Sequence, residues 1–449
     1  MDSVPRMTDV GPPYGRIVDT LRAGAGFTYR LAAGAAYSAW RSALQADASV
    51  APAHVPRTEF DPLSDRIVAD PYPAYTALQA SGRVCVNERR NLWFLSHHGD
   101  VRAAARDHDQ LSSADGILAR PMSLPTMLSR DRPDHTRLRG VASAAFTKRS
   151  LTGIHSEVER WASAGVHDLA RGHTVDVVSS LAIPLPVGVI AYLLGVPNDR
   201  FEEFRRWSDD VVALFGATTW SEMWLVSLAR ARSTLAMSMF LDQQLRRTES
   251  TDSLMARLAA ATESGELTAD EAALFAVLLL VGGNETTTNL IGTLLHALAS
   301  HPDQQALLRE DPALIPAAIE EAARWNSPVQ WACRTTTGPY VVGDVTIPAR
   351  ARVVLLYGAA NRDPAKYPDP DRFDVARGTS GHLAFGSGIH FCLGAHLARL
   401  ETRVAVERVL DAGPELSAEG PVRWTSTPSL RGPISLPLRV RSAAPAQGS

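Results

Sequence analysis

The chain has 449 residues, of which 45% are hydrophobic and 21% are charged, and its formal net charge is −3. This composition is ordinary for a soluble globular protein, so it excludes gross disorder, collagen and coiled-coil arrays, and the charge balance does not indicate nucleic-acid binding. The length exceeds that of one compact single-core module and predicts either two or three domains or one large unit.

The three cysteines are Cys85, Cys333 and Cys392. They cannot all pair within one chain, so a reducing compartment fits best, and each is a buried thiol, a ligand or a nucleophile. No segment reaches the ~20 apolar residues that span a bilayer, and the N-terminus lacks the apolar core of a secretory signal. We therefore expect a cytoplasmic protein without a transmembrane span.

The N-terminal residues differ in composition from the rest of the chain. An alanine-rich, arginine-containing stretch over 16–46 predicts either a membrane-surface or partner-binding helix or an appendage on the body. Residues 47–59 contain two prolines and are interpreted as a linker. The predicted organisation is an N-terminal extension over 1–58, a body over 59–440 and a flexible tail over 441–449.

Helical periodicity dominates the chain from Phe60 onward, with short strand patterns between the helices. The predicted elements are a helix over 71–79, paired strands over 83–86 and 92–96, helices over 158–170, 200–215, 221–247 and 253–261, and strands over 341–347 and 351–356. The expected fold class is mainly α with small β-sheets.

A long apolar helix is predicted from a capping box at 268–271 to about residue 300. The centre of this helix is weak, because Gly282 and Gly283 each cost ~1 kcal/mol relative to alanine. The glycines would let a flat or bulky group approach the backbone, and Glu285 and Thr286 place an acid beside an alcohol at the same point. The alternative interpretation is close helix packing at the glycines, with Glu285 in a structural ion pair.

A second unusual segment surrounds Cys392, which is flanked by three glycines and followed by a helix-like run over 393–409. Tight turns and a helix N-terminus stabilise a thiolate, so this sulfur is predicted to be a ligand or a nucleophile. A zinc site with His390 and His396 has unusual spacing and lacks a second cysteine pair. A nucleophile needs a base and an oxyanion site. A single thiolate on haem iron needs one cysteine, a packing surface such as Phe385 and a propionate partner such as His390.

The segment from Phe385 to Gly394, Phe-Gly-Ser-Gly-Ile-His-Phe-Cys-Leu-Gly, resembles the haem-binding loop of the cytochrome P-450 family at every defining position. Other family motifs follow in the same order over roughly residues 60–440. They are His135-Thr-Arg-Leu-Arg139 and Arg334 as propionate-binding residues, Gly282-Gly-Asn-Glu-Thr286 as the oxygen-binding segment, Glu321-Ala-Ala-Arg324 as the Glu-x-x-Arg motif, and Arg372 as the later arginine that joins that pair.

The resemblance implies a haem b group between the long central helix and the cysteine-loop helix, with Cys392 as the iron ligand. Glu285 and Thr286 would relay protons to bound O2, and Glu321, Arg324 and Arg372 would form a structural network. The implied cofactor-binding residues are His135, Arg139, Gly282, Gly283, Arg334, Phe385, Gly386, His390, Cys392 and Gly394.

Substrate contacts are carried over by the same analogy, from a loop over 117–128 and from positions in several other elements. Most are apolar, which predicts a hydrophobic small-molecule substrate, while Gln330 and Arg431 could orient a polar group. The predicted substrate-contacting residues are Leu214, Phe215, Leu279, Val329, Gln330, Trp331 and Leu430.

The implied reaction is O2-dependent oxidation of such a substrate by a monomeric enzyme of secondary or catabolic metabolism. No dinucleotide fingerprint or iron–sulfur cysteine cluster is present in the sequence, so electrons are expected from a ferredoxin-type partner and its reductase, with docking at Arg399 and Arg403. The alternatives are a peroxide-driven peroxygenase and a non-catalytic haem-binding sensor. The intact pair of Glu285 and Thr286 counts against both.

Overall fold

The computed structural model describes residues 51–123, 126–146, 153–215, 229–246 and 254–441, and helices account for most of the regular structure. The α-helices are α1 (Asp65–Ala69), α2 (Tyr72–Ser81), α3 (His98–Arg106), α4 (Asp134–Ala145), α5 (His155–Gly165), α6 (His167–Ala170), α7 (Pro184–Leu193), α8 (Phe201–Phe215), α9 (Ala231–Arg246), α10 (Leu254–Glu263), α11 (Ala269–Ser300), α12 (Pro302–Glu310), α13 (Ile315–Trp325), α14 (Tyr357–Ala360) and α15 (Ala395–Asp411).

The strands are short and form small sheets. They are β1 (Val84–Asn87), β2 (Leu92–Leu95), β3 (Leu111–Ser112), β4 (Val175–Asp176), β5 (Ala332–Thr336), β6 (Tyr340–Val342), β7 (Val345–Ile347), β8 (Arg352–Leu355), β9 (Glu415–Ala418), β10 (Arg423–Trp424), β11 (Pro433–Ser435) and β12 (Pro437–Arg441). The largest sheet has the order β1-β2-β8-β5-β3, in which β2 and β8 are parallel and the other pairs are antiparallel. The predicted class, mainly α with small sheets, is confirmed.

The 32-residue helix α11 is the central element of the helical part. Its predicted capping box is present, because Thr268 Oγ1 accepts the Glu271 N–H at 3.2 Å and the Glu271 carboxylate accepts the Thr268 N–H at 2.9 Å. Helices α7, α8, α13 and α15 pack against it. Among the described helices, α11 alone is long and apolar enough to cross a membrane, but 67% of its most apolar stretch is buried inside the protein. We therefore interpret it as a core helix.

Two apolar clusters flank α11 and fix its position. One joins α11 to α5, α7, α13 and α15 through side chains such as Leu294, Leu185 and Val406. The other joins the N-terminal half of α11 to α8, α9 and α10 through side chains such as Phe275 and Phe204. The middle of α11, where Gly282 and Gly283 lie, is therefore held from both sides.

Several predicted elements differ in detail. The strand predicted over 341–347 is a hairpin, because Gly343 has a φ of +62° and turns the chain between β6 and β7. The helix predicted over 158–170 is interrupted after Gly165. Of the helix predicted over 221–247, the described part is α9, and residues 221–228 lie outside the described residues.

The N-terminal boundary of the body is also earlier than composition suggested. Ala51 and Val55 are buried in the cluster that covers the large sheet, and Thr58 donates its N–H to Val86 O at 2.9 Å. Residues 51–58 therefore pack on the body, although the sequence placed them in the extension and linker. Residues 1–50, with the helix predicted over 16–46, and the tail over 442–449 lie outside the described residues.

Candidate functional site

A cavity of about 380 Å³ lies between the middle of α11 and the loop that precedes α15. Gly282, Gly283 and Thr286 line it from α11, and Cys392 lines it from the loop. Most of the remaining lining side chains are apolar, as is usual for sites that bind small molecules. The two segments that the sequence analysis singled out independently therefore face the same space.

The cysteine loop is shaped by its backbone. Gly386 and Gly388 adopt φ values of +73° and +71°, which favour glycine, and a Cβ atom on Gly388 would lie 2.8 Å from Ala105 O. The Cys392 N–H donates to Phe385 O at 2.8 Å, which closes the loop. The chain then enters α15, with Gly394 as the N-cap residue. This arrangement holds the sulfur at the cavity surface.

The environment of the Cys392 sulfur combines burial with positive charge. The sulfur is open to the cavity, but protein surrounds it elsewhere, and this burial raises the pKa of the thiol. A hydrogen bond from the Gly394 N–H and the charges of Arg139 and Arg399 act in the opposite direction and favour the thiolate. A positive ion at the sulfur would strengthen that second tendency.

Four basic side chains converge on the cavity from three elements: His135 and Arg139 from α4, Arg334 from β5 and His390 from the cysteine loop. The His135 and His390 rings lie 4.5 Å apart, and the buried Nε2 of His135 has no hydrogen-bond partner. Burial and nearby arginines lower the pKa of His135 to about 4 and that of His390 to about 2. Within the described residues, none of the four forms an ion pair with a carboxylate.

The hydrogen bonds of these four residues leave capacity for an anion. Arg139 donates to Phe391 O at 2.6 Å, and Arg334 donates to Cys333 O at 2.8 Å. His390 Nε2 lies 3.0 Å from Ser113 Oγ. Each guanidinium carries five N–H donors, so most of them are free to bind a carboxylate at the cavity.

The two glycines of α11 have different roles. No atom lies within 4 Å of a Cβ atom added at Gly282, so this position opens the helix to the cavity. A Cβ atom on Gly283 would lie 2.9 Å from Ile190 Cδ1, so this glycine also allows α7 to pack closely. Both interpretations offered by the sequence therefore apply, one to each residue.

Three polar side chains follow the glycines in α11, and each makes a hydrogen bond to a different group. Thr286 Oγ1 donates to Gly282 O at 2.5 Å and lines the cavity. Asn284 and Thr288 turn away from it, toward Ser208 Oγ at 3.3 Å and Ala182 O at 2.8 Å, respectively. These contacts fix the orientation of α11 and leave Thr286 on the cavity side.

Glu285 lies beside Thr286 and also lines the cavity. Burial raises the pKa of its carboxyl to about 7, and the charge of Asp209 adds to the shift. Within the described residues, Glu285 makes no ion pair, so the sequence-based alternative of a structural ion pair has no support there. A carboxyl that titrates near neutral pH can both accept and donate a proton under working conditions.

The Glu-x-x-Arg pair forms the predicted buried network, but with a different third member. Arg324 donates to both Glu321 oxygens at 2.7 and 2.8 Å, and Arg377 Nε donates to Glu321 Oε1 at 3.1 Å. Arg372 was predicted for that place. Its side chain is 61% exposed, and it contributes only its backbone carbonyl, which accepts from Arg324 at 3.2 Å.

The predicted substrate contacts are only partly brought together. Leu279, Val329, Trp331 and Leu430 line the cavity, as do residues of the loop over 117–128. Leu214 and Phe215 end α8, and their side chains lie outside the described residues.

Gln330 and Arg431 do not line the cavity, which corrects the prediction that they orient a substrate. Gln330 is buried, accepts from Tyr75 Oη at 3.1 Å and donates to Ser327 O at 2.7 Å. Arg431 donates to Asn326 Oδ1 at 2.9 Å and to two backbone carbonyls of the α1 segment. Both therefore hold loops together.

Sequence reasoning missed Glu401, an acid on α15 that lines the cavity and is 2% exposed. Burial raises the pKa of its carboxyl well above the usual value and so favours the protonated form. The signal was present in the sequence, because Glu401 falls on the helix face that carries Leu397 and Val404, where an acid is out of place.

The comparisons with known proteins agree with this geometry. Residues 227–412 match the sequence profile of the family described as Cytochrome P450. The Beta-dihydromenaquinone-9 omega-hydroxylase of Mycobacterium tuberculosis is 40% identical over 385 residues, which cover 85% of this chain and 78% of the relative. The Cytochrome P450 monooxygenase PikC of Streptomyces venezuelae is 37% identical over 401 residues, or 86% of this chain and 95% of PikC.

The chain belongs to the cytochrome P450 family. The solved structure of cytochrome P450 CYP109Q5 from Chondromyces apiculatus superimposes with a TM-score of 0.75 at 36% identity, covering 86% of this chain and 99% of that chain. The P450 fold is thereby confirmed, as are the membership in a family of haem-dependent monooxygenases and the use of a haem-iron cofactor. The family also implies O2, a redox partner and hydrophobic substrates.

The residues of this P450 fit a haem group by their chemistry. The cavity offers one thiol on a glycine-shaped loop and, beside it, basic side chains with unused donors and an unpartnered buried imidazole nitrogen at His135. A thiolate ligand and cations for two propionates are what a haem requires. No group of three or more metal-ligating side chains lies elsewhere in the described residues, and the zinc site of Cys392 with His390 and His396 is not formed.

Proposed function

We propose that this chain is a haem b monooxygenase that oxidises a hydrophobic small molecule with O2, using Cys392 as the iron ligand. The observation that carries the proposal is that Cys392 faces, across one largely apolar cavity, the acid–alcohol pair of Glu285 and Thr286. Either wall alone would allow other interpretations, such as a reactive thiol or a packing defect in α11.

Haem binding is assigned to residues of both walls. Cys392 would hold the iron, Phe385 and Gly386 would contact the ring from the loop side, and Gly282 would leave room for it on the α11 side. His135, Arg139, Arg334 and His390 would hold the propionates. Haem bound through a thiolate supplies the oxidising chemistry, since such ligation favours O–O cleavage.

Proton delivery is assigned to Thr286 and Glu285. The Thr286 hydroxyl already donates to Gly282 O, so it can accept a hydrogen bond from a group in the cavity while it remains oriented. Glu285 is poised to pass protons, because its pKa of about 7 leaves it protonated in part at neutral pH. The two side chains thus give the α11 wall a proton donor and an oriented hydroxyl.

The substrate is proposed to be apolar and is expected to be held by shape. Leu279, Val329, Trp331 and Leu430 present hydrocarbon or aromatic surface, and Trp331 is fixed in place by donating to Pro428 O at 3.0 Å. The relative from M. tuberculosis is named as an omega-hydroxylase of β-dihydromenaquinone-9, which supports hydroxylation of a hydrophobic compound as the reaction class.

The electron donor is proposed to be a ferredoxin-type protein, and the enzyme is proposed to act as a cytoplasmic monomer. Of the two arginines suggested for docking, Arg399 is held by Glu320 and is half-buried. Arg403 is 41% exposed, and the carboxylate oxygen of Glu407 that pairs with it is 3.9 Å away, which is a loose contact. Arg403 is therefore the better placed of the two to bind an acidic partner.

The test is isotopic. Apolar compounds that shift the Soret band of the ferric enzyme are first identified, and each is then incubated with the enzyme, a ferredoxin, its reductase and ¹⁸O2. We expect one ¹⁸O atom in the product of each effective compound. Product that carries oxygen only from water, or turnover with peroxide but none with O2 and reductant, would contradict the proposal.

A further inference from the structure

A carboxylate of α13 is held by two basic groups behind the cysteine loop. Glu320 accepts from Arg399 Nε at 2.6 Å on one oxygen and from Arg399 Nη2 at 2.9 Å on the other, in a two-point geometry. His382 Nε2 lies 2.9 Å from the second oxygen. Arg399 belongs to α15, and His382 lies three residues before Phe385, at the entry to the cysteine loop, so one carboxylate joins three parts of the fold. The contact is additional to the Glu-x-x-Arg network, which begins at the next residue.

Arg399 and His382 both lie against the aromatic ring of Phe385 in the cysteine loop. The Arg399 guanidinium carbon lies 4.3 Å from the Phe385 ring centroid, and the His382 ring lies 5.8 Å from it. His382 Nδ1 also accepts the Ala384 N–H at 3.2 Å. Phe385 in turn accepts the Cys392 N–H at 2.8 Å through its carbonyl oxygen. A continuous line of contacts therefore runs from Glu320 to the residue that carries the sulfur.

Glu320 and Arg399 carry charges of opposite sign. Burial disfavours ionisation of Glu320, but the hydrogen bonds from Arg399 and His382 outweigh it and hold the pKa of the carboxyl at about 2. Glu320 is thus negative at any working pH and offsets the positive charge that Arg399 places near Cys392. The charge of Arg399 acts on the Cys392 sulfur, and Glu320, which is hydrogen-bonded to Arg399, offsets part of that charge in a partly buried, low-dielectric region.

We propose that Glu320, His382 and Arg399 form a positioning network that sets the reduction potential of the iron held by Cys392. The inference rests on the proposed function, because it needs a haem bound through that sulfur. Reduction adds one electron to the iron site, so positive charge nearby favours it and negative charge opposes it. Glu320 lowers the potential by offsetting Arg399, and Arg399 raises it.

The chain contains a matched control on the same helix. Arg408 of α15 binds Glu159 of α5 through Nε and Nη2, each at 2.9 Å. The exposed fractions of the two side chains are 35% and 28%, close to the 31% and 27% of Arg399 and Glu320. This pair lies farther along α15 from the cysteine loop. It shares the helix-joining role of the first pair and lacks the contact with Phe385.

The experiment compares three variants of the haem-loaded enzyme, Glu320→Gln, Arg399→Gln and Glu159→Gln, by spectroelectrochemical titration of the ferric–ferrous couple. We expect E320Q to shift the couple toward the ferrous form and R399Q to shift it toward the ferric form, each by about threefold to tenfold, where tenfold is about 59 mV for one electron. E159Q should leave the couple unchanged while lowering the thermal midpoint as much as E320Q does. Glu320→Asp, which keeps the charge, should restore most of the wild-type value.

Opposite signs for E320Q and R399Q cannot come from a general loosening of the loop. The inference is overturned if E320Q and R399Q shift the couple in the same direction. It is also overturned if E320Q shifts the couple no more than E159Q does while its carbon monoxide complex keeps the thiolate-type Soret band. In either case the network is only structural. If R399Q does not load haem, the comparison of E320Q, E320D and E159Q decides. A wild-type enzyme without the thiolate-type band would instead contradict the proposed function.

Discussion

The two walls of the cavity are built by different means. On the cysteine side, the position of the sulfur is set by the backbone, through glycines with positive φ and the hydrogen bond from the Cys392 N–H to Phe385 O. On the substrate side, the surface is made by side chains such as Leu279 and Val329 on regular or extended backbone. Replacing a side chain on the second wall changes the shape of the cavity without moving the chain. The backbone of the first wall thus fixes the position of the sulfur, whereas the side chains of the second wall set the shape of the substrate space.

The largest effect is expected at the network that supports the cysteine wall. Glu321→Gln leaves the buried guanidinium of Arg324 without its counter-charge, which should lower the free energy of unfolding by about 3–5 kcal/mol. Chemical unfolding of the haem-loaded protein measures it. As a control, Arg372→Gln should change stability by less than about 0.5 kcal/mol, since that side chain is exposed. If R372Q costs as much as Arg377→Gln, our assignment of Arg377 as the third member is wrong.

A smaller but chemically specific effect is expected on the α11 wall. Thr286→Ala removes the hydroxyl that faces the cavity and should reduce product formed per electron pair by about 10²-fold, with peroxide formed instead. Product and peroxide are measured together against reductant consumed. Thr286→Ser should recover most of the coupling, because it keeps the hydroxyl. Unchanged coupling in T286A would remove Thr286 from the proton path.

Two substitutions separate ligand binding from fold stability, because one residue lines the cavity and the other is buried outside it. Leu279→Ala should weaken binding of an apolar ligand by about tenfold or more, since it removes three side-chain carbons from a pocket in which even one methylene is worth ~1–3 kcal/mol, and it should alter the ratio of products. Gln330→Ala should leave the ligand profile unchanged and destabilise the fold by about 1–3 kcal/mol, because buried Tyr75 Oη loses its acceptor. Soret titrations and unfolding curves separate the two effects. A changed ligand profile in Q330A would return this residue to the cavity wall.

The smallest effect is a pH slope at Glu401. Its pKa is raised in the folded state, so the stability it contributes is complete below the usual value of 4.5 and is lost as pH rises toward the folded pKa. One proton corresponds to about 1.4 kcal/mol per pH unit over that window. Glu401→Gln should therefore gain stability relative to the wild type as the pH of the unfolding experiment is raised above the usual carboxyl pKa of 4.5. Parallel pH curves for the two proteins would show that Glu401 is ionised in the folded state.

The sequence predicted best where function depends on contiguous residues. The capping box, the glycine pair of α11 and the glycine-flanked cysteine are each contained within about ten residues of sequence. The structure contains the capping box and the positive-φ cysteine loop, and it places the glycine pair at the cavity within an uninterrupted helix. The convergence of Cys392 and Thr286 on one cavity came from the family resemblance, because nothing in either segment specifies the other.

Predictions failed where the direction of a side chain depends on irregular backbone. Arg372 and Arg377 lie in the same loop, and only the packing of that loop selects Arg377 for Glu321. Gln330 and Trp331 are adjacent, yet one turns into the core and the other toward the cavity. Arg399 was expected at the surface, but Glu320, which comes from another helix, turns it inward. Each of these outcomes is decided by a contact between segments that are distant in sequence.

The central claim, that Cys392 is the thiolate ligand of a haem iron, is tested most directly by the absorption spectrum of the reduced protein with carbon monoxide. We predict the Soret band at the wavelength from which the P450 family takes its name, retained in Cys85→Ala and Cys333→Ala, whose thiols are buried away from the cavity. The band should be lost in Cys392→Ala. A wild-type spectrum without the band, or a Cys392→Ala spectrum that keeps it, would contradict the account.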